Sequence, residues 1–448
     1  MNNIYHSDIY KFEKPVNSYW EDTTNENFNL GKLTKDIKSE VAVIGGGYTG
    51  LLCAINLIEN YNLDVVLLEA GKIGWGASSR NGGFCSFPPI KTSFKNLQRI
   101  YGKDETKKFF KNSVEGSNYT KDIISNYNIE CDVTGDSNFI LAHHPNKFKQ
   151  IKEQAEVYKS EFGIEAKIYS KQEFEKIGHG GTEQFGALSY KPGFAINPLK
   201  FVNGITKYAI SKKLAIFEHS LVNKIHKNND SYILRTKEGS VNTKKIVVAT
   251  NGFYQEGLIP QMNSRILPVI SNIIVTRKLT NNEIDLHNFK TFSPIANTKN
   301  LLYYYRKLPD NRILFGTRGD FIGSDQSNLN RSKIMERFLK NIFPSWSNIS
   351  IDYNWRGLIA MSQKLTPSIG KIENEEIYYG FGYHGVGVSS APWTGKQLSK
   401  IVFSSNSKDL NISKIYKGLP KKFIFPKLRI FYFRLAVMFY NIKDKLNI

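Results

Sequence analysis

The chain has 448 residues, 41% hydrophobic and 23% charged, which is the make-up of a folded globular protein with two to three domain equivalents of core. Lysines and arginines outnumber acids by 61 to 40, and the resulting charge of +21 is scattered along the whole length, which argues against a dedicated nucleic-acid binder. Cys53, Cys85 and Cys131 stand far apart with no C-x-x-C pair, which argues against a disulfide framework or zinc site and fits a reducing, cytoplasmic compartment.

Residues 1–36 are polar, and MNNIYHSDIYKFEKP has no apolar core, so no leader peptide is expected. This segment is predicted to wrap the outside, docked by Tyr19 and Trp20. There is no apolar run of 18 residues, so no membrane span is expected. The eight histidines are scattered, and no metal site is expected.

VAVIGGGYTG (41–50) places Gly45, Gly47 and Gly50 in a G-x-G-x-x-G frame directly after an apolar strand. A helix, LLCAINLIEN, and a second strand, DVVLLEA, follow, with Glu69 19 positions after Gly50. This is a dinucleotide fingerprint. Gly45 allows the tight turn, Gly47 lets the backbone approach a pyrophosphate, and Gly50 lets the helix pack close to the strand. Glu69 can accept hydrogen bonds from a ribose. Tyr48, Thr49 and Ala70 are assigned to the cofactor with them. GWGASSRNGGF (74–84) then supplies a small-residue loop, Ala77, Ser78, Ser79, Arg80, Asn81, Gly82 and Gly83. Its amides can lie against a flat ring or a phosphate, and Arg80 adds a cation.

At this point the chain resembles the D-amino-acid oxidase, glycine oxidase and sarcosine oxidase family of FAD enzymes, above all the bacterial members that include γ-glutamylputrescine oxidase. Relatives carry a GASGRNGG-like element, and here Ser79 stands where Gly is usual. The resemblance implies an α/β protein with a Rossmann-like FAD-binding domain of the GR2 type. Its discontinuous second domain would be built on a mixed, largely antiparallel sheet.

Periodicity predicts helices across 91–127 and 147–163 and a strand at 137–143. Asn197 and Pro198 open another helix as N-cap and first helical residue. Strands are predicted at 214–220, 221–227, 231–237 and 241–250, and longer β segments at 265–279, 301–308 and 311–318. A helix spans 329–343, and 355–370 and 377–402 return to the first domain. The FAD domain is thus expected at 37–90, 186–264 and 349–405, the second domain at 91–185 and 265–348, and a basic amphipathic tail at 406–448.

The resemblance implies that Val222 lies by the adenine and that Thr250, in ATNGF, is near the cofactor. FGYHGVGVSSAPWTG (381–395) is a second signature, with Gly382, Gly385 and Gly387 letting the backbone pass close to something flat. A helix from about Ser389 would aim its N-terminal amides at the negative charge of a reduced flavin. Gly385, Val386, Gly387 and Val388 are assigned to the cofactor. Val386 replaces an expected Asn and removes a side-chain hydrogen bond.

His384 is a candidate catalytic residue, set against the alternative of a packed histidine. Tyr304 and Arg306 share a strand face and form a candidate carboxylate clamp, with Arg318 and Arg356 as rivals for the arginine. Leu365 stands where many relatives carry an acid. The sarcosine-oxidase branch binds its flavin through a cysteine near the C-terminal signature. This chain has none after Cys131, so FAD is expected to be non-covalent.

The expected activity is oxidation of a C–N bond in an amine or N-substituted amino acid, with electrons passing to O2 or another acceptor. The imine product hydrolyses. A tRNA-modifying FAD enzyme, motivated by the charge, and a non-catalytic flavoprotein stay open as alternatives, and no nucleic-acid partner is expected. The basic, aromatic tail (425–448) is read as docking on its own FAD domain, with weak membrane-surface contact as the other reading.

Overall fold

The computed structural model describes residues 4–88, 90–405 and 410–446. Two large sheets organise the described residues. The first has a parallel centre. Strand Ile37–Ile44 lies between Ser240–Val248 and Val65–Leu68, and these are flanked by Ile377–Phe381 and Ala215–Phe217. Such a centre, covered on both faces, needs continuous apolar strands, and Val41–Ile44 and Val65–Leu68 are fully buried. Helix Tyr48–Tyr61 leaves the first strand at the fingerprint and packs against helix Gly387–Ser404.

The second sheet runs Ile351–Met361, Leu267–Thr276, Ile313–Arg318, Tyr304–Lys307, Ile295–Asn297, Asn138–Leu141, Ala187–Tyr190, Ala166–Tyr169. Every pair is antiparallel except Ile295–Asn297 with Asn138–Leu141. This is the mixed, largely antiparallel sheet expected of the second domain. Ala187–Tyr190 pairs with Asn138–Leu141, so the sheet extends past 185. Ile351–Met361 pairs along its length with Leu267–Thr276, so it also extends past 348. In both cases the choice of sheet is made by a partner distant in sequence.

Local signals act as expected. Asn197 accepts hydrogen bonds from the amides of Leu199 and Lys200, and Pro198 opens helix Pro198–Ser211. Trp20 is buried and donates its indole N–H to the Asn81 carbonyl at 3.0 Å, which fastens the N-terminal segment over the second sheet.

The tail forms a helix, Arg429–Leu446, and residues 406–409 and 447–448 lie outside the described ones. The helix docks mainly on the second sheet's side, with one ion pair to the segment expected in the FAD domain. Phe433 packs on Phe321, and Asp444 accepts from the amides of Asn300 and Leu301. Arg429 pairs with Glu256 at 2.7 Å. Among the described residues no helix is long and apolar enough to cross a membrane, and no cluster could hold a metal ion.

Candidate active site between the two sheets

A cavity of about 920 Å³ runs from the fingerprint, past the small-residue loop, to the turn at 383–387 and the second sheet. At one end Gly45 has φ of +111°, and a Cβ there would come 2.9 Å from the Ala249 carbonyl oxygen. A Cβ on Gly50 would fall 1.9 Å from the Gly45 carbonyl oxygen, so the helix sits directly on the turn. The N-cap Gly47 offers no side-chain cap, which leaves the helix N-terminus facing the cavity. The Tyr48 amide donates to Ser78 Oγ at 3.0 Å, so the small-residue loop is tied to the fingerprint.

Glu69 lines the same end. Its carboxylate accepts the Gly46 amide at 2.6 Å and the Gly71 amide at 2.9 Å, and burial raises its pKa against those bonds. Ala70 and Val222 lie beside it on the wall, and Ser220 holds that loop by donating its amide to the Glu69 carbonyl. Thr49, Ala77, Ser78, Arg80, Asn81, Gly82 and Thr250 also line the cavity. The Arg80 guanidinium lies 3.9 Å over the Trp75 ring and donates to the Trp75 and Arg356 carbonyls; burial pushes its pKa down to about 9. Thr250 Oγ1 is buried without a hydrogen-bond partner among the described residues, as a wall prepared for a polar ligand would leave it.

Gly50, Ser79 and Gly83 are not on the wall. Gly50 is the close-packing position just described. Ser79 is buried behind the loop, and Gly83 makes a left-handed turn against the Ile196 carbonyl.

At the other end, helix Gly387–Ser404 starts from Val386 without a side-chain cap, and Gly385, Val386, Gly387 and Val388 line the cavity. Its free N-terminal amides favour negative charge there. His384 is fully buried with φ of +51°, a left-handed conformation that a non-glycine residue adopts at a cost. Its Nδ1 lies 3.2 Å from Met361 Sδ. Its Nε2 meets no full hydrogen bond among the described residues, though the Thr366 backbone lies beside it. Burial, then Lys91, Arg318 and Lys364, hold its pKa down to about 3, so the ring is neutral near pH 7.

The second sheet places Tyr304 on the cavity wall and Arg306 off it. The two share a face, as strand alternation predicts, but Trp20 covers the Arg306 end. The Arg306 guanidinium lies 5.3 Å over the Trp20 ring and donates to the Ile196 carbonyl at 2.6 Å. These contacts hold it away from the cavity, so the structure does not bring Arg306 together with Tyr304 on the wall. Arg356 is also engaged, with Asp325 at 2.8 Å and the Ser324 carbonyl. Of the three clamp candidates, Arg318 is the one on the wall. It has no carboxylate partner among the described residues, and burial lowers its pKa.

Lys91 lines the cavity nearby, where burial and then Arg318 push its amine down to about 7. Sequence reasoning missed Lys91 because it lies in an irregular loop with no motif around it. None of the three cysteines lines the cavity, and all are buried.

The cradle fits FAD: a turn too tight for side chains, two helix N-termini without an N-cap side chain aimed inward, and an orphaned hydroxyl between them. Comparison with known proteins agrees. Gamma-glutamylputrescine oxidoreductase of Escherichia coli K12 is 27% identical over 447 residues, 97% of this chain and 99% of that protein. Glycine oxidase from Geobacillus kaustophilus superposes with a TM-score of 0.67 at 16% identity, covering 86% of this chain and 99% of that one. L-proline dehydrogenase from P. horikoshii superposes with a TM-score of 0.66 at 21% identity, covering 85% and 96%. The pattern of the FAD-dependent oxidoreductase (DAO) family matches residues 40–401, and the chain belongs to that family of flavoenzymes.

Proposed function

We propose that this FAD-dependent oxidoreductase oxidises the C–N bond of an amine or amino acid that carries a carboxylate, and that the imine formed hydrolyses after release. The observation that carries this reading is Arg318, a cavity-facing guanidinium without a carboxylate partner among the described residues. Tyr304 on the neighbouring strand and Lys91 in the loop face the same space. A substrate carboxylate would take a charge-assisted contact from Arg318, with Tyr304 and Lys91 beside it. The relatives named as acting on γ-glutamylputrescine and on glycine support the substrate class.

When bound, FAD supplies the two-electron acceptor. The chain contributes placement. Arg318 and Tyr304 fix the carboxylate and thereby the α-carbon. Neutral His384 offers Nε2 as a hydrogen-bond partner without adding a cation beside the substrate amine. The N-terminus of helix Gly387–Ser404 favours negative charge near Gly385–Val388. Val222, Glu69 and Ala70 would border the nucleotide end, and Gly45, Gly47, Tyr48 and Thr49 the phosphates. The residues named would hold FAD without a covalent link, and FAD would pass its electrons to O2 or another acceptor; the protein is assigned to the cytoplasm.

The test is an anaerobic screen of amines and amino acids, each paired with its decarboxylated analogue, following loss of the oxidised flavin band. The acid-bearing member of a pair is expected to bleach the flavin far faster. Equal rates within every reactive pair would remove the carboxylate requirement.

A further inference from the structure

The helix Arg429–Leu446 is docked by one face and bare on the other. Val437 is buried, Phe433 lies on Phe321 with ring centroids 5.3 Å apart, and Asp444 caps the amides of Asn300 and Leu301 at 2.8 and 2.9 Å. These contacts fix the rotation of the helix about its axis. At 3.6 residues per turn, Phe431, Leu435, Met438, Phe439, Ile442 and Leu446 then fall in one outward stripe about 100° wide. Each of them is between 48% and 61% exposed. Ile424 and Phe425, just before the helix, are 70% and 67% exposed. Aromatic and branched apolar side chains in one continuous outward patch mark an interaction surface.

The charges choose the occupant. The same spacing puts Arg434 and Lys445 along one edge of the stripe and Lys443 along the other, with Lys421, Lys422 and Lys427 upstream. Asp444 is the only acid in 420–446, and it is turned into the protein. An apolar stripe with cations at both edges suits an anionic bilayer, where the stripe reaches the acyl boundary and the lysines meet the headgroups. A second copy would bring the same cations against each other, which opposes self-pairing.

We propose that helix Arg429–Leu446 seats the protein on an anionic phospholipid surface. The helix is about 27 Å long and lies flat in the interface. The inference is independent of the substrate reading, since it rests on the far side of the tail helix from the contacts that hold it.

The test is co-sedimentation of the full-length, FAD-loaded protein with phosphatidylcholine vesicles, with and without phosphatidylglycerol. Binding is expected to the anionic vesicles and to weaken as salt rises. The double variant Leu435→Glu, Phe439→Glu changes exposed positions only. It is expected to lower partitioning at least about tenfold while flavin absorbance and turnover stay unchanged. Lys443→Gln with Lys445→Gln is expected to weaken binding and flatten its salt dependence. Failure of the intact protein to bind anionic vesicles at low salt, or full binding by the Leu435→Glu, Phe439→Glu variant, would overturn the proposal. A dimer in sedimentation velocity that this variant dissociates would assign the stripe to a second copy instead.

Discussion

Ser271 and Arg318 face each other across the antiparallel ladder between Leu267–Thr276 and Ile313–Arg318, and the Ser271 hydroxyl shares a 2.9 Å hydrogen bond with Tyr304 on the next strand. Gly316 makes this reach possible, because a Cβ there would fall 2.0 Å from the Tyr304 ring. The tyrosine lies flat across the missing side chain and its hydroxyl arrives next to Arg318's row. Arg318→Ala is therefore expected to lower kcat/KM for the true substrate by about 2–4 kcal/mol, roughly 30- to 1000-fold, with flavin content unchanged. Arg306→Ala should instead lower stability, since that side chain packs on Trp20. Steady-state kinetics beside thermal melts separate the two; an Arg318→Ala enzyme with native kcat/KM would refute the assignment.

Lys91 gives the clamp a pH dependence. Its amine is charged below about 7 and neutral above. Attraction for a carboxylate is then present at low pH and lost as pH rises through that value. KM is expected to rise across this range in the parent enzyme, and Lys91→Met should lack that limb. A limb that survives the substitution belongs to another group.

Gly47→Val is expected to give colourless protein. A Cβ at Gly47 would already lie 2.7 Å from Ser78 Oγ, the atom that holds the Tyr48 amide. A branched side chain must push that hydroxyl aside and fill the space the pyrophosphate needs. Flavin absorbance after purification reads the outcome, and a yellow, stable variant would place the phosphates elsewhere.

Acid should unfold this protein in part through two histidines. His179 and His384 are fully buried, and each is held down to about 3. An unfolded histidine titrates near 6.5, so between these values the unfolded chain binds more protons and stability falls as pH falls. The slope is at most about 1.4 kcal/mol per pH unit for each group. His384→Asn tolerates the left-handed backbone and removes one share. Urea midpoints taken through the range should decline less steeply in that variant, and its anaerobic flavin reduction should slow by ~10–100-fold. Native reduction rates would return His384 to a purely packing role.

Acid precipitation of the purified protein is expected to leave FAD in the supernatant. Burial pushes the Cys85 and Cys131 thiols up to about 12 and raises Cys53 further, and none reaches the cavity. Yellow colour in the pellet would demonstrate a covalent bond.

What the sequence disclosed and what it hid have physical reasons. The fingerprint was legible because the turn admits only glycines and the helix must begin where they end. The FGYHG element was legible because Gly382 and Gly385 take left-handed backbone, with φ of +81° and +95°, just before a helix begins. Arg306 and Arg318 could not be ranked, because both sit on strands with the right alternation. Trp20, from a segment nearly 300 residues away in sequence, decides which one is covered. Strands 187–190 and 351–361 alternate no differently from their neighbours, and only pairing shows which sheet they join. Lys91 carries no local signal; its significance comes from Arg318, brought to it by the fold.

The carboxylate of Asp444 ties the last turn of the tail helix to the backbone of Asn300 and Leu301, and Leu302 beside them is part of the cavity wall. A strut of this kind transmits in both directions. If seating the helix on a surface steadies that turn, a ligand pressing on Leu302 gains affinity, and the same ligand tightens the seat by an equal factor. Occupancy of the cavity and attachment of the protein then become two readings of one equilibrium.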